Sequence, residues 1–366
     1  MKKILTVLCA AVLVAFAACS KDDDDAVRPT PAPQPAPAPA PEPPQEWPDE
    51  EGLFSPWAQI DTILTDGAVS EVWSWNGGRL EMVSDGNGDV QCQFTYGNDG
   101  RYNAIDVNSG LLSDYLGNML TGTVTVSYNG DKIGGLTITH GATQLGTLAL
   151  QRNSADKVSL ATATLSDEAL LSMLNDMIAS HVGGNSSGFP QFTIDGSTAA
   201  LDFSWVGSNV VRLLLNLNVN ASTTRTAVVN SSLYGYLPSE VQTFLQSIFC
   251  PENLNVQLSV HDTVSYDYDN QRNPLKHYLG QLAITTLSQN NVTSESHASG
   301  VVVKIGSGSF MLPLFSRPLL NATIGYDYLY NSAGYPYYVT TSRSADSGAA
   351  TTSTTEYRYS YQQQEQ

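Results

Sequence analysis

Residues able to do chemistry are few in this chain, and they are scattered. Gly184-Asn185-Ser186-Ser187-Gly188 fits the spacing G-x-S-x-G, in which a strained strand-to-helix turn lifts a serine for nucleophilic attack. Here the motif follows a helix-like stretch and precedes strand-like Phe189, so it reads as a loop. Asp85-Gly86-Asn87-Gly88-Asp89 places three oxygen ligands at alternate positions, as a calcium loop does. Val90 stands where that loop needs glycine and Tyr96 where it needs a bidentate glutamate, which makes the stretch a hairpin turn. The histidines, His140, His181, His261, His277 and His297, form no i, i+4 pair on a helix. Cys92 and Cys250 are read as separate buried thiols, although an exported protein permits a bridge between them. These residues give no catalytic set, no metal and no cofactor. What remains is aromatic: Trp73, Trp75, Tyr96, Tyr128, Tyr268 and Tyr328, with Tyr335, Tyr337 and Tyr338. Exposed, they would make a sugar-stacking surface; cross-strand pairing inside a sheet accounts for the same residues without a ligand.

The elements that must position these aromatics repeat. Phe94-Thr95-Tyr96 puts two rings on one face of a strand, and Asn98-Asp99-Gly100 then supplies a tight turn followed by Arg101. The same unit returns at Trp73–Arg79, Tyr128–Lys132, Tyr266–Arg272 and Tyr326–Gly334. Composition agrees: 42% of residues are hydrophobic and only 14% charged, with Gly, Tyr, Ser, Thr and Asn abundant. Two stretches interrupt the strands. Ser166–His181 has a capping serine, Asp167 and Glu168 in the first turn, and Leu170, Leu171, Leu174, Met177 and Ile178 at helical spacing. Pro238–Phe249 carries Val241, Phe244, Leu245 and Ile248 as its apolar stripe. The fold expected is mainly β: a large curved antiparallel sheet or open barrel-like meander with two short packed helices.

The N-terminus gives an address. Lys2 and Lys3, the apolar run Ile4–Phe16 and Ala17-Ala18 before Cys19 form a signal peptide over residues 1–18 that resembles a bacterial lipobox, with Cys19 as the lipidated residue. Phe16 departs from the leucine usual at its position. Asp22 to Asp25 resemble the acidic export signal of Bacteroidetes surface lipoproteins. Pro29–Pro48 is a proline-rich spacer that cannot form a core, so residues 19–48 are a stalk and 49–366 the β-rich domain. Loss of the two signal-peptide lysines takes the formal charge from −18 to −20. That excludes an electrostatic route to nucleic acid.

The aromatic, turn and Arg/Lys units resemble the tyrosine-aspartate repeats of bacterial surface shells. More closely they are similar to a Bacteroidetes lipoprotein family of unknown function with a porin-like fold, through Phe94–Arg101, Tyr128–Lys132, Tyr266–Leu275 and Tyr326–Pro336. The resemblance implies no activity. The expectation is a non-enzymatic lipoprotein of the outer membrane, exposed at the cell surface, that binds a glycan or protein ligand. The alternatives are a structural or assembly lipoprotein with no small ligand, and a hydrolase whose carboxylate pair is invisible in sequence.

Overall fold

The computed structural model describes residues 59–76, 79–108, 122–182, 188–274, 288–331, 334–345 and 350–360. The expected signal peptide, Cys19, the expected stalk, the Gly184–Ser187 part of the serine motif and His277 lie outside them. The strands are β1 (Gln59–Thr65), β2 (Ala68–Asn76), β3 (Arg79–Ser84), β4 (Val90–Tyr96), β5 (Tyr102–Val107), β6 (Gly122–Asn129), β7 (Lys132–His140) and β8 (Thr143–Arg152). They continue as β9 (Val158–Leu165), β10 (Thr193–Val206), β11 (Asn209–Thr224), β12 (Asn253–Arg272), β13 (Asn290–Ser307), β14 (Phe310–Tyr330), β15 (Pro336–Ala345) and β16 (Thr351–Ser360). Each pairs antiparallel with the next, and β1 pairs with β16, so the sheet closes into a barrel. The mainly β, barrel-like expectation holds, with the barrel closed and not open. The first strand, β1, supplies the partner that the last strand, β16, needs.

Alternation fixes which face is wet. Along β11, Leu213, Leu215, Leu217, Val219 and Ala221 are buried, whereas Arg212, Asn218, Asn220 and Thr224 are exposed. On β12, Leu254, Val256, Leu258 and Val260 are buried against exposed Asn255, Gln257 and His261. The buried side chains of nearly all the strands form one cluster inside the closed sheet. The inner face is therefore apolar and the outer face of these strands polar. A barrel that spans a bilayer has the opposite order, an apolar band outside and a polar lumen.

A wide lumen lined by apolar side chains must be filled. Helix α1 (Asp167–Val182) does this with Leu170, Leu174, Met177 and Ile178, all within the same buried cluster. Ser166 caps it as expected, accepting from the Ala169 amide at 3.2 Å. Helix α2 (Arg225–Val229), a 3-10 helix (Ser232–Tyr236) and α3 (Ser239–Gln246) follow β11. The second helix is shorter than its apolar spacing suggested. It stops at Gln246, so Val241 and Leu245 are buried while Ile248 falls beyond the last turn and is 88% exposed.

Because every connection is antiparallel, even-numbered strands end, and odd-numbered strands begin, at one mouth of the barrel. Three of the turns there share a geometry. The amide of the first residue donates to the carbonyl four residues on, and the fourth amide returns to the first carbonyl, at Gly97–Arg101, Asn153–Lys157 and Asn331–Tyr335. The fourth position has positive φ: Gly100 at 80°, Asp156 at 59° and Gly334 at 78°. A Cβ on Gly100 would also meet Arg79 Nη2 at 2.6 Å. Gly100→Val should destabilise the barrel by about 1–3 kcal/mol in denaturant unfolding, and an unchanged midpoint would refute the turn assignment. The Asp85–Asp89 turn, at the opposite mouth, repeats both backbone bonds. Asp85 Oδ1 accepts from the Asn87 and Asp89 amides, as Asn153 Oδ1 accepts from Ala155 and Lys157. The carboxylate does the work of an uncharged amide, which is turn chemistry.

Candidate functional site

The structure brings the aromatics together as a girdle around that one mouth. Trp73, Phe94 and Cys92 are buried on the inner face. Trp75, Tyr96, Tyr128, Tyr268 and Tyr328 share the inner register of their strands and are half-buried at the rim. They are not an open platform on the outer face. Each rim ring instead stitches its strand to the start of the preceding one. Trp75 Nε1 donates to the Ile60 carbonyl and Tyr96 Oη to that of Leu80, both at 2.7 Å. Tyr128 Oη reaches the Tyr102 carbonyl at 2.9 Å, Trp205 Nε1 that of Val158 at 2.7 Å, and Tyr328 Oη that of Val292 at 2.8 Å. Tyr268 bonds likewise to Val210, and Tyr359 to Pro336. Arg152 of β8 takes the same place, reaching the Ile133 carbonyl at 3.5 Å.

A register shift accompanies nearly every stitch, as at Ser74/Trp75, Thr95/Tyr96, Ser127/Tyr128, Ser204/Trp205 and Asp267/Tyr268. Such bulges at a barrel rim bend the strand and re-aim its side chains, here inward. The basic residue of the repeat has a role too. Arg79 lies over Tyr96 at 5.4 Å, Arg101 over Tyr128 at 5.3 Å and Lys157 over Trp205 at 5.2 Å. Burial raises the Tyr96, Tyr102 and Tyr128 hydroxyls above their ordinary value, and Tyr268 to about 12, so they stay protonated.

Ionisable groups inside the barrel were not found from sequence. Glu71 of β2 is 5% exposed and accepts from Trp73 Nε1 at 2.7 Å. Burial outweighs that bond and lifts its carboxyl to about 7. Burial and the neighbouring Glu71 push the Cys92 thiol to about 12, which makes it inert at neutral pH. Cys250 is also a free, buried thiol, so the two cysteines are separate.

The second group spans β12 to β14. His297 Nε2 is 3.1 Å from Glu295 Oε2, and Glu295 Oε1 accepts from Tyr326 at 3.0 Å. On the other side His297 Nδ1 faces Asp262 Oδ2 across 3.8 Å, an ion pair too long for a hydrogen bond. Burial alone would lower the imidazole, but the two carboxylates outweigh it and raise it to about 9. Its contribution to stability is therefore complete below about pH 6.5 and is lost as pH rises through about 9. Proton NMR of the imidazole should show a midpoint near 9; one below 7 would refute the ion-pair geometry. A protonated imidazole cannot serve as a general base at neutral pH, and both Glu295 oxygens are engaged. One signal was available in the sequence: Glu71, Asp262, Glu295 and His297 all stand in the apolar register of their strands.

No protein-family model matches the chain, and no curated protein matches it.

Proposed function

We propose that the chain is a surface lipoprotein, anchored to the outer membrane through Cys19, whose barrel is a non-enzymatic binding module for a glycan or peptide. The observation that carries this reading is the polarity of the barrel, apolar within and polar without. A body of that kind stands in water and needs a separate anchor to stay at a membrane. Gln59, the first residue of β1, lies at the aromatic mouth. Half-buried rings with cations over them, such as Tyr96 and Tyr128, supply the stacking faces and charges that glycans and peptides use.

One observation favours the structural alternative. The girdle's indole and phenol donors are spent on strand carbonyls, as a purely architectural ring would have them. Glycan-array binding by the purified protein decides between the two. Saturable binding that is lost on replacing Tyr96 and Tyr128 by Leu supports the module, and no binding on a broad array supports the structural role. The anchor has its own test. Cys19→Ser should abolish metabolic fatty-acid labelling, and persisting label would refute lipidation at that residue.

A further inference from the structure

The inner faces of β12, β13 and β14 differ from the rest of the lumen. Tyr330, Tyr328 and Tyr326 run inward along β14, with ring centroids 5.8 and 6.3 Å apart, and Tyr268 and Tyr266 run along β12 at 6.4 Å. All five rings are half-buried. Three carboxylates line the same strip at increasing depth. Asp269, at the rim, accepts from Tyr330 and from Asn291 Nδ2. Glu295, opposite Tyr266 in the ladder, is held by His297 and Tyr326. Asp262, opposite Ser299, is the deepest.

Asp262 is the one of the three left incomplete. Its side chain is 2% exposed, Oδ2 faces His297 at 3.8 Å, and Oδ1 has no hydrogen-bond partner. A buried carboxylate oxygen without a donor costs more than an ordinary missing hydrogen bond. Among the described residues the strip carries one imidazole against three carboxylates; Arg317, deeper on β14, lies over the Phe315 ring at 5.6 Å. The missing partner should therefore carry both N–H donors and a positive charge. Tyrosine faces attract such a group on its way in. A divalent metal fits less well: among the described residues no three His, Cys, Asp or Glu converge on one point. A neutral hydroxyl would satisfy Oδ1 and leave the charge unbalanced.

We propose that this strip is a binding site for a primary alkylammonium ion, with the ammonium at Asp262 and the aliphatic stem directed toward Tyr326, the innermost ring of β14. The inference does not depend on the anchor or on glycan binding. Calorimetric titration of the purified full-length chain with n-butylammonium and with cadaverine tests it, with n-butanol as the neutral isostere. Saturable binding is expected for both amines, weakened about tenfold or more in Asp262→Asn and several-fold in Tyr326→Leu. Asp267→Asn, on the exposed face of the same strand, should leave it unchanged. Near-ultraviolet circular dichroism of each variant separates lost binding from lost folding. Equal binding of n-butanol, full affinity in a folded Asp262→Asn variant, or no saturable binding of either amine by the native chain would overturn the proposal.

Discussion

Glu71→Gln should make the barrel more stable at neutral pH and leave it nearly unchanged at pH 4.5. The native carboxyl titrates at about 7 against an ordinary value of 4.5, because burial disfavours the charged form. The folded state therefore binds the extra proton between those values. The group's contribution is fully present below about 4.5 and is lost as pH rises through about 7. The gap corresponds to about 3 kcal/mol. Glutamine keeps an oxygen for the Trp73 indole, which now donates at 2.7 Å, and carries no charge to desolvate. Urea unfolding of both proteins from pH 4.5 to 8 measures the difference directly. It should widen with pH and level off above 7; a constant difference would mean that Glu71 is ionised throughout. The other carboxylates titrate in both proteins and cancel in the comparison.

Glu71 also shows where sequence reading stopped. The repeat Phe94-Thr95-Tyr96, Asn98-Asp99-Gly100 disclosed a strand and a turn with positive φ, because each of these is decided within a few residues, whereas the cation–ring contacts, Arg79 over Tyr96 and Arg101 over Tyr128, join neighbouring hairpins. Alternation gave two faces but not which one was wet. Tyr96 shares its register with Phe94 and Cys92, and Tyr128 with Val124 and Val126, all buried, which favours pairing within the sheet over an exposed stacking surface. Closure was harder, since the pairing of β1 with β16 joins residues about as far apart as the described chain allows. Nothing local in Gln59–Thr65 signals it. The interior acids lay between these cases. Asp262 follows Leu254, Val256, Leu258 and Val260 in strict alternation, so a charge in that series marks either the end of the buried run or a group buried on purpose. Val264, buried beyond it, decides for the second.

The largest loss should come from α1. A closed antiparallel sheet of this many strands encloses more space than the side chains of its own inner face can fill, and in membrane barrels of similar strand number that space is water. Here the inner face is apolar, so an unfilled lumen would leave its leucines and valines without contacts. Leu174 is 0% exposed and sits among Leu170, Met177 and Ile178 on the helix that meets this face. Ile178 lines one small cavity together with Leu314 and Phe315 of β14, Leu233 of the 3-10 helix and Leu237 just after it, which places the plug against the wall. Leu174→Ala should therefore cost about 2–5 kcal/mol, the range in which a cavity closes only partly. Ile248→Ala, at an 88% exposed position just past α3, is the matched deletion and should stay within about 0.5 kcal/mol of the native protein. Equilibrium urea unfolding of the two variants compares them. If they lose the same small amount, α1 does not fill the lumen, and the apolar inner face would need another account.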